Sequence, residues 1–269
     1  MRRALLLLCL APPIYAIYVL WGLPARAEIR ALAKTTPRKT GVMLQREEEA
    51  RAAGRRLREV RTIVPLSRIS RNLVHAVVAA EDPKFFGHEG IDWEAVKESV
   101  ELNVRQARFA RGGSTITQQL AKNLFFTTQK SITRKLREFI VARWLEADLT
   151  KKRILELYLN VIEWGDGVYG CEAAARRYYG KPAADLGPSE AAGLAAMIPS
   201  PRRINPRTSP DRHARAQRRV LWLMAHAGYL KRSEAGVGAE PPAEPVEESG
   251  PEPTEPEAPS AGSLALTPP

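Results

Sequence analysis

Two adjacent carboxylates, Glu81 and Asp82, close a run of small and apolar residues and form the first place where this chain could do acid–base chemistry. Leu73 and Val77 stand eight and four residues before Glu81, so a helix over 70–81 predicts Glu81 on its buried stripe. At a helix C-terminus on an apolar face, desolvation and the helix dipole both disfavour the ionised form, which suits a general acid or base. A glutamate paired to one of the many arginines is the plain alternative. Pro83 disfavours helical backbone at Asp82, so the helix should stop near Glu81, with Asp82 capping a following turn. His88 reads as a local hydrogen-bonding histidine.

A second stretch, RGGSTITQQLAKNLF (111–125), joins a glycine turn at Gly112 and Gly113 to a helix start that Ser114 or Thr115 can cap. Gln118 and Lys122 then share a face, and an anion could sit at such a helix N-terminus. The GxxxxGK[ST] spacing of a phosphate-binding loop is absent. In the third stretch (129–146), Lys130, Arg134, Lys135 and Arg137 gather just before Glu138. Lys130, Arg134 and Glu138 recur at i, i+4, so one helical edge should carry cations and end at a carboxylate. Such an edge would hold a diphosphate, or serve simply as an exposed basic face with a salt bridge.

The elements that position these groups read as helices. Ile154, Leu157, Tyr158 and Val161 mark a buried helix face, glycines 165, 167 and 170 end that helix and lead into the next, and small residues from Ala191 to Ala196 permit close helix packing. Alternation of strand type is confined to TIVPL near residue 62, so the fold class is mainly α. Residues 4–25 carry no charge and match the length of a bilayer-spanning helix; with Arg2 and Arg3 they are read as a transmembrane anchor, residues 1–25, rather than a cleaved signal peptide. Residues 26–60, rich in Arg, Glu and Ala, read as a juxtamembrane stalk outside the core, residues 61–230 as the folded unit, and residues 231–269 as a disordered Pro/Glu-rich tail.

The net charge is +11 over 269 residues, and setting aside the seven glutamates from Glu240 onward raises the remainder to +18. Such a surface favours anionic partners, whether nucleic acid, acidic lipid headgroups or phosphorylated substrates. No nucleic-acid recognition motif accompanies it. Cys9 lies in the apolar segment and Cys171 in the body, which offers no intrachain disulfide framework.

Taken in order, EDPKFFGHEGID, GGSTITQQLAKN, RKLREFIVARWLE, ILELYLNVIEWGDGVYG and SEAAGLAAMIPSP resemble the five motifs of the peptidoglycan glycosyltransferases, over roughly residues 60–225. The likeness is greatest to the monofunctional, membrane-anchored type without a penicillin-binding domain. It implies a lysozyme-like, almost wholly helical glycosyltransferase domain that polymerises lipid II on the outer face of the bacterial cytoplasmic membrane, with inversion and loss of a lipid diphosphate. Glu81 would be the general base and Glu138 the second catalytic carboxylate. Ser114, Gln118, Gln119, Lys122, Asn123, Lys130, Arg134, Lys135 and Arg137 would bind substrate. Relatives often carry arginine at the position of Lys130 and lysine at that of Arg137; here the two are exchanged, which keeps charge but not bidentate geometry. The resemblance implies no obligatory cofactor or metal site while leaving room for a divalent cation (Mg or Mn). Its implied partners are lipid II, the growing lipid-linked strand, the membrane and other wall-synthesis or division proteins, not nucleic acid. The rival readings are a glycan-cleaving enzyme of the same broad fold, which needs no diphosphate-binding cations, and a non-catalytic membrane scaffold.

Overall fold

The structure, a computed structural model, describes residues 2–106, 113–238, 240 and 242; the side chains of residues 2–10, 100 and 102–106 lie outside that description. Twelve α-helices are described: α1 (Arg2–Trp21), α2 (Arg26–Ala31), α3 (Gly41–Ala52), α4 (Arg71–Glu81), α5 (Trp93–Gln106), α6 (Ile116–Phe125), α7 (Ile132–Asp148), α8 (Lys151–Val161), α9 (Cys171–Tyr179), α10 (Pro188–Ala195), α11 (Pro210–His226) and α12 (Arg232–Ala235). Three short strands, β1 (Val60–Arg61), β2 (Glu163–Gly165) and β3 (Val168–Tyr169), form a sheet ordered β1-β3-β2. β1 runs parallel to β3 with Val60 opposite Val168, and β2 is antiparallel to β3. The mainly α class expected from the periodicity is the one observed.

Two helical groups share one core. α4 packs against α10 and α11, while α6 packs against α7 and α8. The apolar spacing of α4 buries Leu73, Ala76 and Val77, and Ser70 starts the helix by accepting from the Asn72 amide at 3.2 Å. Helix α10 comes close because it is built of small residues: a Cβ on Gly193 would lie 2.2 Å from the Tyr179 hydroxyl, and the Gly193 carbonyl bonds His213 Nε2 at 2.9 Å. α6 opens with a reciprocal capping box, Thr115 accepting from the Gln118 amide and Gln118 Oε1 accepting from the Thr115 amide. The Ile154, Leu157, Tyr158 and Val161 face of α8 is buried as its spacing predicts.

The structure departs from the sequence reading in three places. Residues 26–60 do not stand outside the core: Ile29 and Leu32 lie in it, Val42 and Met43 are buried, and α3 packs on α6. Sparse large apolar residues suggest a stalk, but each aliphatic side chain fully buried contributes about 1.5–3 kcal/mol, so a few suffice to hold the segment down. The strand falls at Val60–Arg61 rather than in TIVPL, where Pro65 cannot donate to a ladder. Between α8 and α9 the glycines make the β2–β3 hairpin, Gly167 and Gly170 taking φ of +71° and +80°, a region that favours glycine.

The backbone of α1 is helical from Arg2 to Trp21, but its side chains up to residue 10 lie outside the description, and among the described residues no helix is long and apolar enough to cross a membrane. The stretch read as a disordered tail begins with α12, and beyond residue 242 it lies outside the described residues. Gly112 lies outside them as well.

Candidate active site

Pro83 ends α4 as expected: Asp82 leaves helical geometry at φ −163°, ψ 77°, and Glu81 is the last residue of the helix. Glu81 is half-buried rather than buried, and its Oε2 accepts from Gln119 Nε2 at 2.7 Å. Gln119 is held in turn by α8, because the Tyr158 hydroxyl donates to its Oε1 at 2.8 Å. That bond leaves the amide nitrogen for Glu81 and so sets the orientation of the side chain. Tyr158 is wholly buried, and burial, then Glu81 and Asp82, push its hydroxyl well above the usual tyrosine range, so it stays a proton donor.

Asp82 is the buried member of the carboxylate pair, at 4% exposure. The spacing predicts that it caps its own following turn; the structure sends its carboxylate to the first amide of α6, Ile116 N at 3.0 Å, and to His88 Nε2 at 3.0 Å. The Gly90 amide donates to His88 Nδ1, so the ring proton sits on Nε2 and points at Asp82. Burial raises the Asp82 pKa, opposed by the His88 and Ile116 hydrogen bonds. The result is a clamp that ties the end of α4 to the start of α6, and His88 has the local role its sequence suggests.

The second carboxylate, Glu138, is only 2% exposed on α7 and is paired with Arg134, one turn before it, and with Lys135 at 3.2 Å. Lys135 Nζ also donates to Ser114 Oγ at 2.7 Å, bringing the loop before α6 to the same cluster. Lys122 lies on α6 one turn beyond Gln119 and is half-buried. Burial lowers its pKa most, Arg134 and Lys135 lower it further, and Glu138 and Glu81 act in the opposite sense. Both carboxylates therefore act on Lys122 electrostatically.

Four of the residues named by resemblance lie differently. Gln118 is buried in the capping box, with its Nε2 lacking a partner among the described residues, and Asn123 turns back to the Gln119 carbonyl at 2.8 Å. Lys130 is exposed and precedes α7, whose cap is Ser131, so it does not share a helical edge with Arg134. Among the described residues it makes no hydrogen bond or ion pair. Arg137 faces α1, where it donates to the Val19 carbonyl at 3.0 Å and the Tyr18 carbonyl at 2.6 Å. Tyr158, by contrast, belongs to the site although its spacing marks it only as core; a hydroxyl on an otherwise apolar face is the signal that could have flagged it.

Glu81 at the end of α4, the half-buried Lys122 and a buried carboxylate paired with two cations are thus gathered around α6 and α7. The sequence profile of the family described as Transglycosylase matches residues 48–225. The chain belongs to this family, the peptidoglycan glycosyltransferases. It is 44% identical over 211 residues to the biosynthetic peptidoglycan transglycosylase of Azoarcus sp. (strain BH72), covering 77% of this chain and 91% of the relative. It is 58% identical over 139 residues to the protein of that name from Dechloromonas aromatica (strain RCB), covering 52% of this chain and 60% of the relative. A crystal structure of penicillin-binding protein 1A from Haemophilus influenzae aligns with 69% of this chain and 18% of its own at 22% identity and a TM-score of 0.38.

Proposed function

We propose that this glycosyltransferase polymerises lipid II into peptidoglycan strands, with Glu81 as the base and the Lys122, Arg134 and Lys135 cluster as the cradle for the departing diphosphate. Glu81 takes the proton of the C4 hydroxyl of the acceptor N-acetylglucosamine as that oxygen attacks the anomeric carbon of the donor strand. A β-1,4 bond forms with inversion, the bond to the lipid diphosphate breaks, and the cations meet the negative charge that grows on the leaving oxygen. Positioned base catalysis contributes about 10² to 10⁴ in rate. Gln119, oriented by Tyr158, aims the Glu81 carboxylate, and Glu138 keeps Arg134 and Lys135 gathered at the diphosphate end. The step as written uses no resident cofactor, and a divalent cation (Mg or Mn) could accompany the diphosphate.

The observation that carries this reading is that α6 and α7 bring the two ends together: Gln119, one turn before Lys122, bonds Glu81 at 2.7 Å, while Arg134 and Lys135 meet at Glu138 and Lys135 also bonds Ser114, just before α6, at 2.7 Å. A hydrolytic cleavage would need the carboxylate but gives no use to three convergent cations. The name shared by the relatives supports glycan-strand formation. The substrate's lipid tail places the work at a membrane, and α1, whose Ile14, Ile17, Leu20 and Trp21 are exposed apolar side chains, is read as the inserted segment of a single-pass protein with its body on the periplasmic side. The test is to incubate the purified protein with lipid II and separate the products by size. Long lipid-linked strands are expected; soluble fragments released from finished wall, or no product, would overturn the assignment.

A further inference from the structure

Among the described residues, one side chain of α7, Arg137, holds the terminal carbonyls of α1. The last four carbonyls of a helix have no partner within it, and two of those of α1, Tyr18 and Val19, are taken by the Arg137 guanidinium, whose carbon also lies 5.0 Å from the centre of the Tyr18 ring. A cation at this end also complements the helix dipole. Gly22, just past the helix, leaves the space: a Cβ there would sit 2.1 Å from Arg137 Cζ. One turn earlier, the Tyr15 and Thr133 hydroxyls meet at 2.9 Å, and beyond α1, Arg26 pairs with Asp148 at 2.9 Å while stacking over Trp144. Arg137 and Glu138 are consecutive on α7, about 100° apart around the helix, so the attachment and the cation cluster stand on neighbouring faces of one rigid rod. A lysine has neither the planar fork to reach two carbonyls nor the flat face to stack on Tyr18.

We propose that Arg137 is a clasp between α1 and the site helix, a positioning residue that sets the height and tilt of the cation cluster relative to the lipid-inserted segment, and that it does not bind the diphosphate. The inference rests on reading α1 as that inserted segment and on a lipid-linked substrate. The test uses the full chain in phospholipid nanodiscs with spin labels at positions 17 and 132, both exposed in the structure, on a Cys9→Ser background. The parent should show one narrow distance distribution. Arg137→Gln and Gly22→Ala, which strike the contact from opposite sides, should both broaden it. Turnover on lipid-linked substrate supplies the second readout: kcat/KM should fall by about tenfold in both Arg137→Gln and Arg137→Lys, the order expected when charge-assisted hydrogen bonds are lost. A parent-like distance distribution in either Arg137→Gln or Gly22→Ala overturns the clasp. Full activity in Arg137→Lys alongside a loss in Arg137→Gln makes the residue a simple charge and overturns it too, and unchanged kcat/KM in Arg137→Gln removes the positioning role. If the parent itself makes no polymer, the proposed function fails while the distance measurement still decides the clasp.

Discussion

Tyr158→Phe isolates the step between fold and chemistry. The substitution removes one oxygen from a side chain that is wholly buried and preserves its shape, so no cavity opens. What disappears is the 2.8 Å bond to Gln119 Oε1, the contact that decides which end of the amide meets Glu81. Leaving a buried acceptor unpaired costs roughly 1–3 kcal/mol, and a denaturant titration should show a loss of that size. Turning the amide over recovers none of it, because that would aim Nε2 at the new phenyl ring and present Oε1 to the Glu81 carboxylate; what is lost is the bond that held Gln119 in its donating orientation. Loss of one such orienting bond at the base should slow turnover by about tenfold, well short of the 10² to 10⁴ expected for removing the base itself. Because a hydrogen bond donated to a carboxylate favours its charged form, the acid limb of the pH–rate profile should also move to higher pH. The assay is polymer formation from lipid II across pH, beside urea unfolding of the same preparations. A mutant that loses stability but keeps both parental turnover and the parental acid limb would refute the claim that Tyr158 acts on the base through Gln119.

Glu81→Gln should retain donor binding and lose about 10² to 10⁴ in kcat, whereas Glu138→Gln should also raise KM for the donor and cost about 1–3 kcal/mol of stability, moderated because Lys135 is partly exposed; single-turnover rates and donor titrations separate the two. Burial above all, with Arg134 and Lys135, holds the Lys122 pKa below the usual 10.5 against the pull of Glu81 and Glu138. The unfolded chain therefore keeps this proton to higher pH than the folded one, so the stability contribution of Lys122 should rise with pH between its folded pKa and 10.5 while affinity for inorganic diphosphate falls over the same window; Lys122→Arg should abolish both trends, and their persistence would count against the assignment. Burial pushes the Cys171 thiol up to about 12, so site-resolved mass spectrometry should find it unalkylated by iodoacetamide at pH 8 until denaturant unfolds the domain.

Much of this site is written in short-range chemistry. Pro83 forces the end of α4 at Glu81, Thr115 and Gln118 start α6 by bonding each other, and the apolar spacings of α4 and α8 select their buried faces. Each follows from neighbours within a turn or two, where steric exclusion and hydrogen-bond reach act without knowledge of the rest of the molecule, and for that reason the sequence by itself determines a mainly helical fold, a carboxylate at a helix end and a cation-rich segment ahead of a second one. Tertiary structure alone decided where the side chains of those helices point and whom they meet. Tyr158 reaches Gln119 across 39 positions of sequence, Asp82 reaches Ile116 across 34, and Arg137 turns to α1, 118 residues before it, although its neighbours in sequence, Lys135 and Glu138, belong to the cation cluster. A helix advances about 100° per residue, so consecutive charged residues necessarily serve different partners, and which partner is present on each side depends on how distant helices pack.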